Sequence, residues 1–298
     1  MKFTEIPMDG AVALVTGGAR GIGLAIAHRL AGMGARVMIA DLDGAAAKEA
    51  AREVGSGARG FFLDVTEFDE YLRVVTEIED SIGPVDIVVN NAGIMPVGPL
   101  LGESRGVAEA TMRVNFWSHY NSYQVLAPRM VDRGRGHFIN VTSAAGAIHS
   151  PGLASYVASK HAATGFARSA REELVGTGVT ISTVMPSAVR TQLVDGIPFK
   201  WWEKLGIIPP GWVARDAVRT VRNRPAVVGS PRGTVLALRL QHLVPEWLWL
   251  LGRRVVNADR TVGPVDRQAR SEYDGRIERQ VEAARRIPST KPSSSARG

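Results

Sequence analysis

Ala11 to Gly23 reads AVALVTGGARGIG. The first six residues form a short, nearly unbroken apolar run that stops at a cluster of glycines. Such a run reads as a strand buried on both faces. From Ile22 to Met33 the apolar residues recur at helical spacing, so a helix opens directly out of the glycine corner. Glycines there let the chain turn tightly, let the backbone approach a pyrophosphate and let the helix pack closely on the strand. The helix start adds free N–H groups and the positive end of its dipole. A glycine-rich loop alone can be a mere turn. The strand before it and the helix after it are the context a dinucleotide site requires, and they make Gly17, Arg20, Gly21, Ile22 and Gly23 candidate cofactor-binding residues.

Working outward, the same alternation repeats. Strands are expected at Ala35 to Ala40, Phe61 to Leu63, Val85 to Val89, Gly136 to Val141 and Val179 to Met185, with Ala226 to Val228 as a short last one. Helical patterns fall between them at Ala45 to Val54, Phe68 to Ile82, Ala108 to Arg133 and Ala154 to Val175. Strand–helix alternation with continuously apolar strands predicts an α/β fold, a doubly wound parallel sheet of Rossmann type in three layers. The alternation weakens after residue 190. The expected organisation is one cofactor-binding and catalytic domain over 8–230, a helical extension over 231–288 and a disordered polar tail over 289–298.

The spacing Thr16-Gly17-x-x-x-Gly21-x-Gly23 resembles the signature of the short-chain dehydrogenase/reductase family, and the resemblance extends over roughly residues 8–230. It implies an oxidoreductase that interconverts an alcohol and a ketone or aldehyde with a nicotinamide cofactor. Asp41, at the end of the second strand, can accept both hydroxyls of the adenosine ribose and would repel a 2′-phosphate. That favours NAD. Arg20, just before the second glycine, points towards NADP in the family, so NADP stays open as the second choice. Asp41 can also serve as a helix cap. The resemblance further implies that Asp64 and Val65 bracket the adenine. It likewise implies that Asn90-Asn91-Ala92-Gly93 matches the NNAG turn along the cofactor, with Asn91, Ala92 and Gly93 as contacts and Asn90 more structural. Pro186, Val189 and Thr191 would lie under the nicotinamide, with Thr191 on its carboxamide. Ser187 stands where the family has glycine.

Tyr156 and Lys160 are four residues apart in a helical pattern and therefore share a face. No other tyrosine in the chain has a lysine four residues on, and arginine outnumbers lysine thirty to six. A lysine kept here suits a compact ammonium that a guanidinium would not replace. Ser143 lies 13 residues before Tyr156, and Asn115 sits in the long helix after the NNAG turn. Each has an ordinary alternative: Ser143 as a turn cap, Asn115 as a polar helix residue. The resemblance assigns all four to catalysis: Tyr156 as acid/base, Ser143 on the substrate oxygen, Lys160 on the ribose and beside the phenol, Asn115 on a water leading to solvent. A nearby ammonium is expected to lower the tyrosine pKa.

There are no cysteines, which excludes disulfides, thiolate metal sites and cysteine nucleophiles, and no metal is expected. Met1 to Gly10 does not read as a signal peptide and no spanning apolar run exists, so a cytoplasmic protein is the expectation. Up to Val189 the chain holds 16 basic and 19 acidic residues, and beyond it 20 and 10; the net charge of +7 belongs to the C-terminal third. No nucleic-acid motif accompanies it. Five of the six tryptophans follow residue 200, which implies a bulky apolar, lipid- or sterol-like substrate or a covered surface. Residues 234–254 fit two short amphipathic helices hinged at Pro245, lying on a membrane or, in preference, in a dimer or tetramer interface. Residues 260–286 mix arginines with acids and read as a solvated helix. The competing function is a regulatory or membrane-peripheral scaffold that binds cofactor without turnover.

Overall fold

The computed structural model describes residues 3–241, 245, 247, 261–262 and 265–286. Seven parallel strands form one sheet: β1 (Val12–Thr16), β2 (Arg36–Asp41), β3 (Arg59–Phe62), β4 (Val85–Asn90), β5 (Gly136–Val141), β6 (Val179–Pro186) and β7 (Val227–Ser230). Their spatial order is β3-β2-β1-β4-β5-β6-β7. Strands β1, β4, β5 and β6 are buried at every residue, as helices on both faces require. Alternation along β1 divides the core. Ala13 and Val15 face one layer with Ile26, Leu30, Val213 and Val218; Val12 and Leu14 face the other with Tyr71, Val74, Ile78, Leu126 and Met130.

The crossovers are α1 (Gly21–Ala31), α2 (Gly44–Val54), α3 (Phe68–Ser81), α4 (Arg105–Met112), α5 (Ser118–Asp132) and α6 (Ala154–Glu173). After β6 come the single turn α7 (Trp201–Lys204), then α8 (Pro210–Asn223), α9 (Thr234–Gln241) and α10 (Arg267–Arg286). The order reverses between β1 and β4, so a crevice opens at the carboxyl ends of those strands, where open α/β sheets bind ligands.

Three local expectations need correction. The single helix expected over Ala108 to Arg133 is two helices joined by a π-helical turn at Arg113–Trp117, a wide turn that periodicity alone does not reveal. The alternation does not fade after residue 190: α8 packs on α1 and leads into β7. Its apolar stripe of Val213, Ala217, Val218 and Val221 is interrupted by arginines, which hid it. Finally, α10 is not simply a solvated helix. Tyr273, Ile277 and Val281 are buried against Ile94, Ala110 and Val114, and Arg270 is 2% exposed. Charges on three sides of a helix mask a narrow buried stripe on the fourth. Of residues 234–254, α9, Pro245 and Trp247 are described; the expected second helix, the hinge and the tail at 289–298 lie outside the described residues.

Candidate active site

Every candidate residue from the sequence falls at the carboxyl edge of the sheet or on the helices facing it. The glycine corner connects β1 to α1. Gly17 and Gly21 adopt φ of 59° and 58°, a region other residues avoid. A Cβ on Gly23 would lie 2.3 Å from the Gly17 carbonyl oxygen, so the corner closes only with glycine there. No side chain caps the start of α1, which leaves first-turn N–H groups to face the crevice. Asn91 fastens the corner from the next strand: its Nδ2 donates to the Thr16 carbonyl at 3.1 Å and the Gly17 carbonyl at 2.9 Å. The Asn91 and Ala92 N–H groups donate to Thr16 Oγ1. The Asn91 amide is thus spent on shaping the cradle. Asn90 is spent likewise, donating to Asn140 Oδ1 at 2.9 Å.

Asp41 lies beside this corner, its Oδ2 accepting from Ala19 N–H at 3.2 Å and its Oδ1 from Asp43 N–H at 3.1 Å. The cap of α2 is Asp43, which accepts from Ala46 N–H at 3.0 Å; Asp41 is not the cap. The backbone hydrogen bond from Ala46, with a lesser pull from the Arg20 guanidinium, holds the Asp43 carboxyl below its ordinary value against the opposing effect of burial. Arg20 pairs with Asp43 at 3.4 Å. Asp64 is 8% exposed and its Oδ1 accepts from Thr66 N–H and Oγ1, with Val65 buried next to it. A turn made of an uncapped helix start, closely packed glycines and two carboxylates suits a dinucleotide pyrophosphate with a hydroxyl-bearing ribose.

The remaining candidates converge from β5, α6 and the π-turn. Asn115 is fully buried: its Oδ1 accepts from Ile94 N–H at 2.8 Å and its Nδ2 donates to Ile94 O and Ser159 Oγ, both at 2.9 Å. Ser143 follows β5 and accepts from Ala145 N–H at 3.1 Å, so it does cap a turn, and its hydroxyl acts on the Tyr156 phenol. Lys160 is 4% exposed, 3.5 Å from the Val141 carbonyl and 5.7 Å from the Tyr156 ring centre. A Cβ on Gly93 would meet Asn115 Oδ1 at 3.2 Å and Lys160 Nζ at 3.3 Å. Bare backbone at Gly93 is therefore what lets these two approach. Around Tyr156 lies an apolar cluster of Met95, Ala145, Leu153, Leu193, Val194 and Ile197.

The electrostatics correct one expectation. Burial pushes the Tyr156 phenol above its ordinary value, and the Ser143 hydroxyl pulls it only partly back. The lowering expected from Lys160 does not appear beside these two effects, and burial lowers the Lys160 ammonium itself to about 8. A missed neighbour is His119, one turn beyond Asn115. It is buried, both ring nitrogens lack a partner among the described residues, and burial with the Lys160 charge lowers it to about 3. A histidine on a helix gave no signal in the sequence.

Across the crevice, Pro186 ends β6 and Ser187 continues it, its N–H donating to the Ser230 carbonyl at 2.9 Å. Ser187 has no left-handed φ, so the missing glycine costs nothing in backbone strain. Val189 bridges to Ile208. Thr191 comes back over the glycine corner, its Cγ2 3.4 Å from where a Cβ on Gly21 would stand. The cradle and the Tyr156 cluster thus share one crevice. Among the described residues no helix is long and apolar enough to cross a membrane.

Comparison with known proteins matches residues 11–199 to the short chain dehydrogenase family model. The chain is 39% identical over 191 residues to 1-deoxy-11-beta-hydroxypentalenate dehydrogenase of Streptomyces exfoliatus, covering 62% of this chain and 70% of that one. It is 29% identical over 267 residues to estradiol 17-beta-dehydrogenase 11 of Mus musculus, covering 87% and 88%. A short chain dehydrogenase/reductase from Burkholderia phymatum, solved in complex with NAD, superposes with a TM-score of 0.71 at 23% identity over 80% of this chain and 94% of that one.

Proposed function

The chain belongs to the short-chain dehydrogenase family, and from that premise we propose that it uses NAD, in preference to NADP, to interconvert a hydroxyl and a carbonyl group on a bulky apolar molecule. The observation that carries this reading is Tyr156, buried in an apolar cluster with buried Lys160 and half-buried Ser143 beside it, next to the glycine cradle. The relatives support the substrate class, since their names include a hydroxypentalenate and an estradiol dehydrogenase.

The bound nicotinamide supplies or takes the hydride; the chain's own residues handle the proton and the charge. In oxidation, Tyr156 Oη takes the proton from the substrate hydroxyl; in reduction, it returns one to the carbonyl oxygen. Ser143 Oγ donates a hydrogen bond to that oxygen as charge develops. Lys160 Nζ, close to Gly93, would hold the nicotinamide ribose. Asn115 fixes the backbone at Ile94 and so keeps Gly93 under the lysine. Val65, Ala92, Pro186 and Val189 line the cofactor path, and Thr191 orients the carboxamide. Asp41 selects the ribose hydroxyls. Arg20, already paired with Asp43, offers less to a 2′-phosphate than an unpaired arginine would.

Titration with NAD⁺ and NADP⁺, followed by absorbance assays of reduced nicotinamide on sterols and long-chain and small secondary alcohols, tests the proposal. Tight NAD⁺ binding with turnover on an apolar alcohol is expected; binding of neither cofactor would overturn it. Asp41→Ala should narrow the preference for NAD over NADP by about tenfold or more, the worth of one charged hydrogen bond, and an unchanged ratio would remove Asp41 from selection. The cytoplasm is the expected compartment. A homo-oligomer is supported by Trp117, which is 47% exposed, tilted against Phe116 and edge-on to Tyr120; analytical ultracentrifugation would give a dimer or tetramer, and a monomer would refute this. Leu236 and Leu240, exposed on α9, support a peripheral membrane contact, and failure to co-sediment with anionic liposomes would count against it.

A further inference from the structure

The substrate cleft has two lips. One is the segment after the NNAG turn, which brings Met95 to Tyr156; the other is the segment after Thr191, which brings Leu193 and Val194 there. Neither is part of the sheet, and irregular segments leave backbone carbonyls that need partners. Helix α10 supplies them from the far end of the chain. The Arg270 guanidinium, 2% exposed, donates to Met95 O on one lip and to Leu193 O and Asp195 O on the other, each at 3.0 Å. Tyr273 Oη accepts from Met95 N–H at 2.7 Å, and the guanidinium lies over its ring at 5.0 Å.

Around this centre, Asp266 N–H donates to Gly196 O at 3.0 Å and Arg276 Nη2 to Gln192 Oε1 at 2.6 Å. A Cβ on Gly196 would meet Asp266 O at 2.4 Å, so the second lip is packed directly on the helix. Among the described residues the carboxylate paired with Arg270 is Asp274 at 3.3 Å, itself 43% exposed. The buried charge is therefore held mainly by lip carbonyls. Ile277 and Val281, farther along α10, pack on Ala110 and Val114 and anchor the helix away from the cleft.

We propose that Arg270 and Tyr273 form a latch that sets the spacing of the two lips, and so act as positioning residues that determine which substrates the cleft accepts. The inference rests on reading the Tyr156 cluster as the substrate site. One planar guanidinium reaches three carbonyls at once because its donors are fixed in a fork; a lysine ammonium at the end of a flexible stem lacks that geometry. Backbone shifts at Met95 and Leu193 pass directly to the side chains that line the cleft. The segment 267–286 lies beyond the 11–199 matched by the family model, so the latch is a feature of this chain's extension.

The test uses the full chain with Arg270→Met, Arg270→Lys and Tyr273→Phe, assayed on cyclohexanol, a decalinol and a hydroxysteroid. For Arg270→Met, KM for the bulkiest turned-over alcohol should rise about tenfold or more, the factor of one charged hydrogen bond. The ratio of kcat/KM between bulky and small alcohols should change, while cofactor affinity stays within about threefold. Arg270→Lys should recover only part of the loss, and Tyr273→Phe, close in shape to the parent, should move the same ratio less. Hydrogen exchange supplies a readout independent of turnover: amides of residues 94–98 and 192–197 should exchange about tenfold faster in Arg270→Met, with β1 to β6 unchanged. Unchanged exchange in both lips overturns the latch, as does a loss of protection spread along the whole chain. Faster lips with an unchanged substrate ratio overturn its role in specificity. A parent protein that binds no cofactor overturns the proposed function, and the exchange result then decides the latch alone.

Discussion

Lys160 is the residue whose chemistry depends most on its surroundings. Its spacing from Tyr156 was legible because one helical turn relates them, and Ser143 and Asn115 were legible by their distances along the chain. Their energetics were not, since burial belongs to the folded assembly. With its pKa lowered to about 8 by burial, Lys160 is charged in folded and unfolded chains alike below that pH. Between about 8 and the ordinary 10.5 the unfolded chain keeps the proton and the folded one does not, so stability rises with pH across that window. Lys160→Met should abolish this rise. Urea unfolding at several pH values checks it, and equal slopes for parent and variant would mean that the lysine titrates normally. Tyr156→Phe removes only the hydroxyl, and turnover should fall by about 10²-fold or more with cofactor affinity within a few-fold. Substantial residual turnover would displace Tyr156 from its role.

At the scale of elements, the β1–corner–α1 unit was read correctly from thirteen residues because strand, glycines and helix follow one another without interruption. The corner depends on Gly23 as much as on the φ of Gly17. Gly23→Ala should push the Gly17 carbonyl away from the helix start and weaken cofactor binding by about tenfold or more, since overpacking costs about 1–3 kcal/mol. Calorimetric titration would show it, and unchanged affinity would mean that the corner relaxes freely. The π-turn at Arg113–Trp117 and the buried stripe of α10 escaped the sequence for different reasons. A widened turn shifts register without altering composition, and the buried stripe of Arg270, Tyr273, Ile277 and Val281 is outvoted by the helix's other charges.

For the molecule as a whole, two buried histidines set the acid limit. His119 is lowered to about 3 by burial and the Lys160 charge, and His137, bonded to Thr180 and Thr220, is held well below 6.5 by burial and by Arg224. Unfolded, each binds a proton near 6.5; folded, neither does. Their stabilisation is complete above that pH and is lost progressively as the pH falls below it, for His119 down to about 3. The variant His119→Phe should flatten part of this decline in acid-unfolding curves, and a parallel curve would refute it. The contact between Arg270 and Met95 spans 175 residues. During synthesis the latch therefore comes last: the glycine corner, the NNAG turn, Tyr156 and both lips have all emerged before Arg270 can join the lips. A growing polypeptide thus holds every side chain that lines the cleft before it holds the one that spaces them, and the pocket takes its final width only at the end of the chain's emergence.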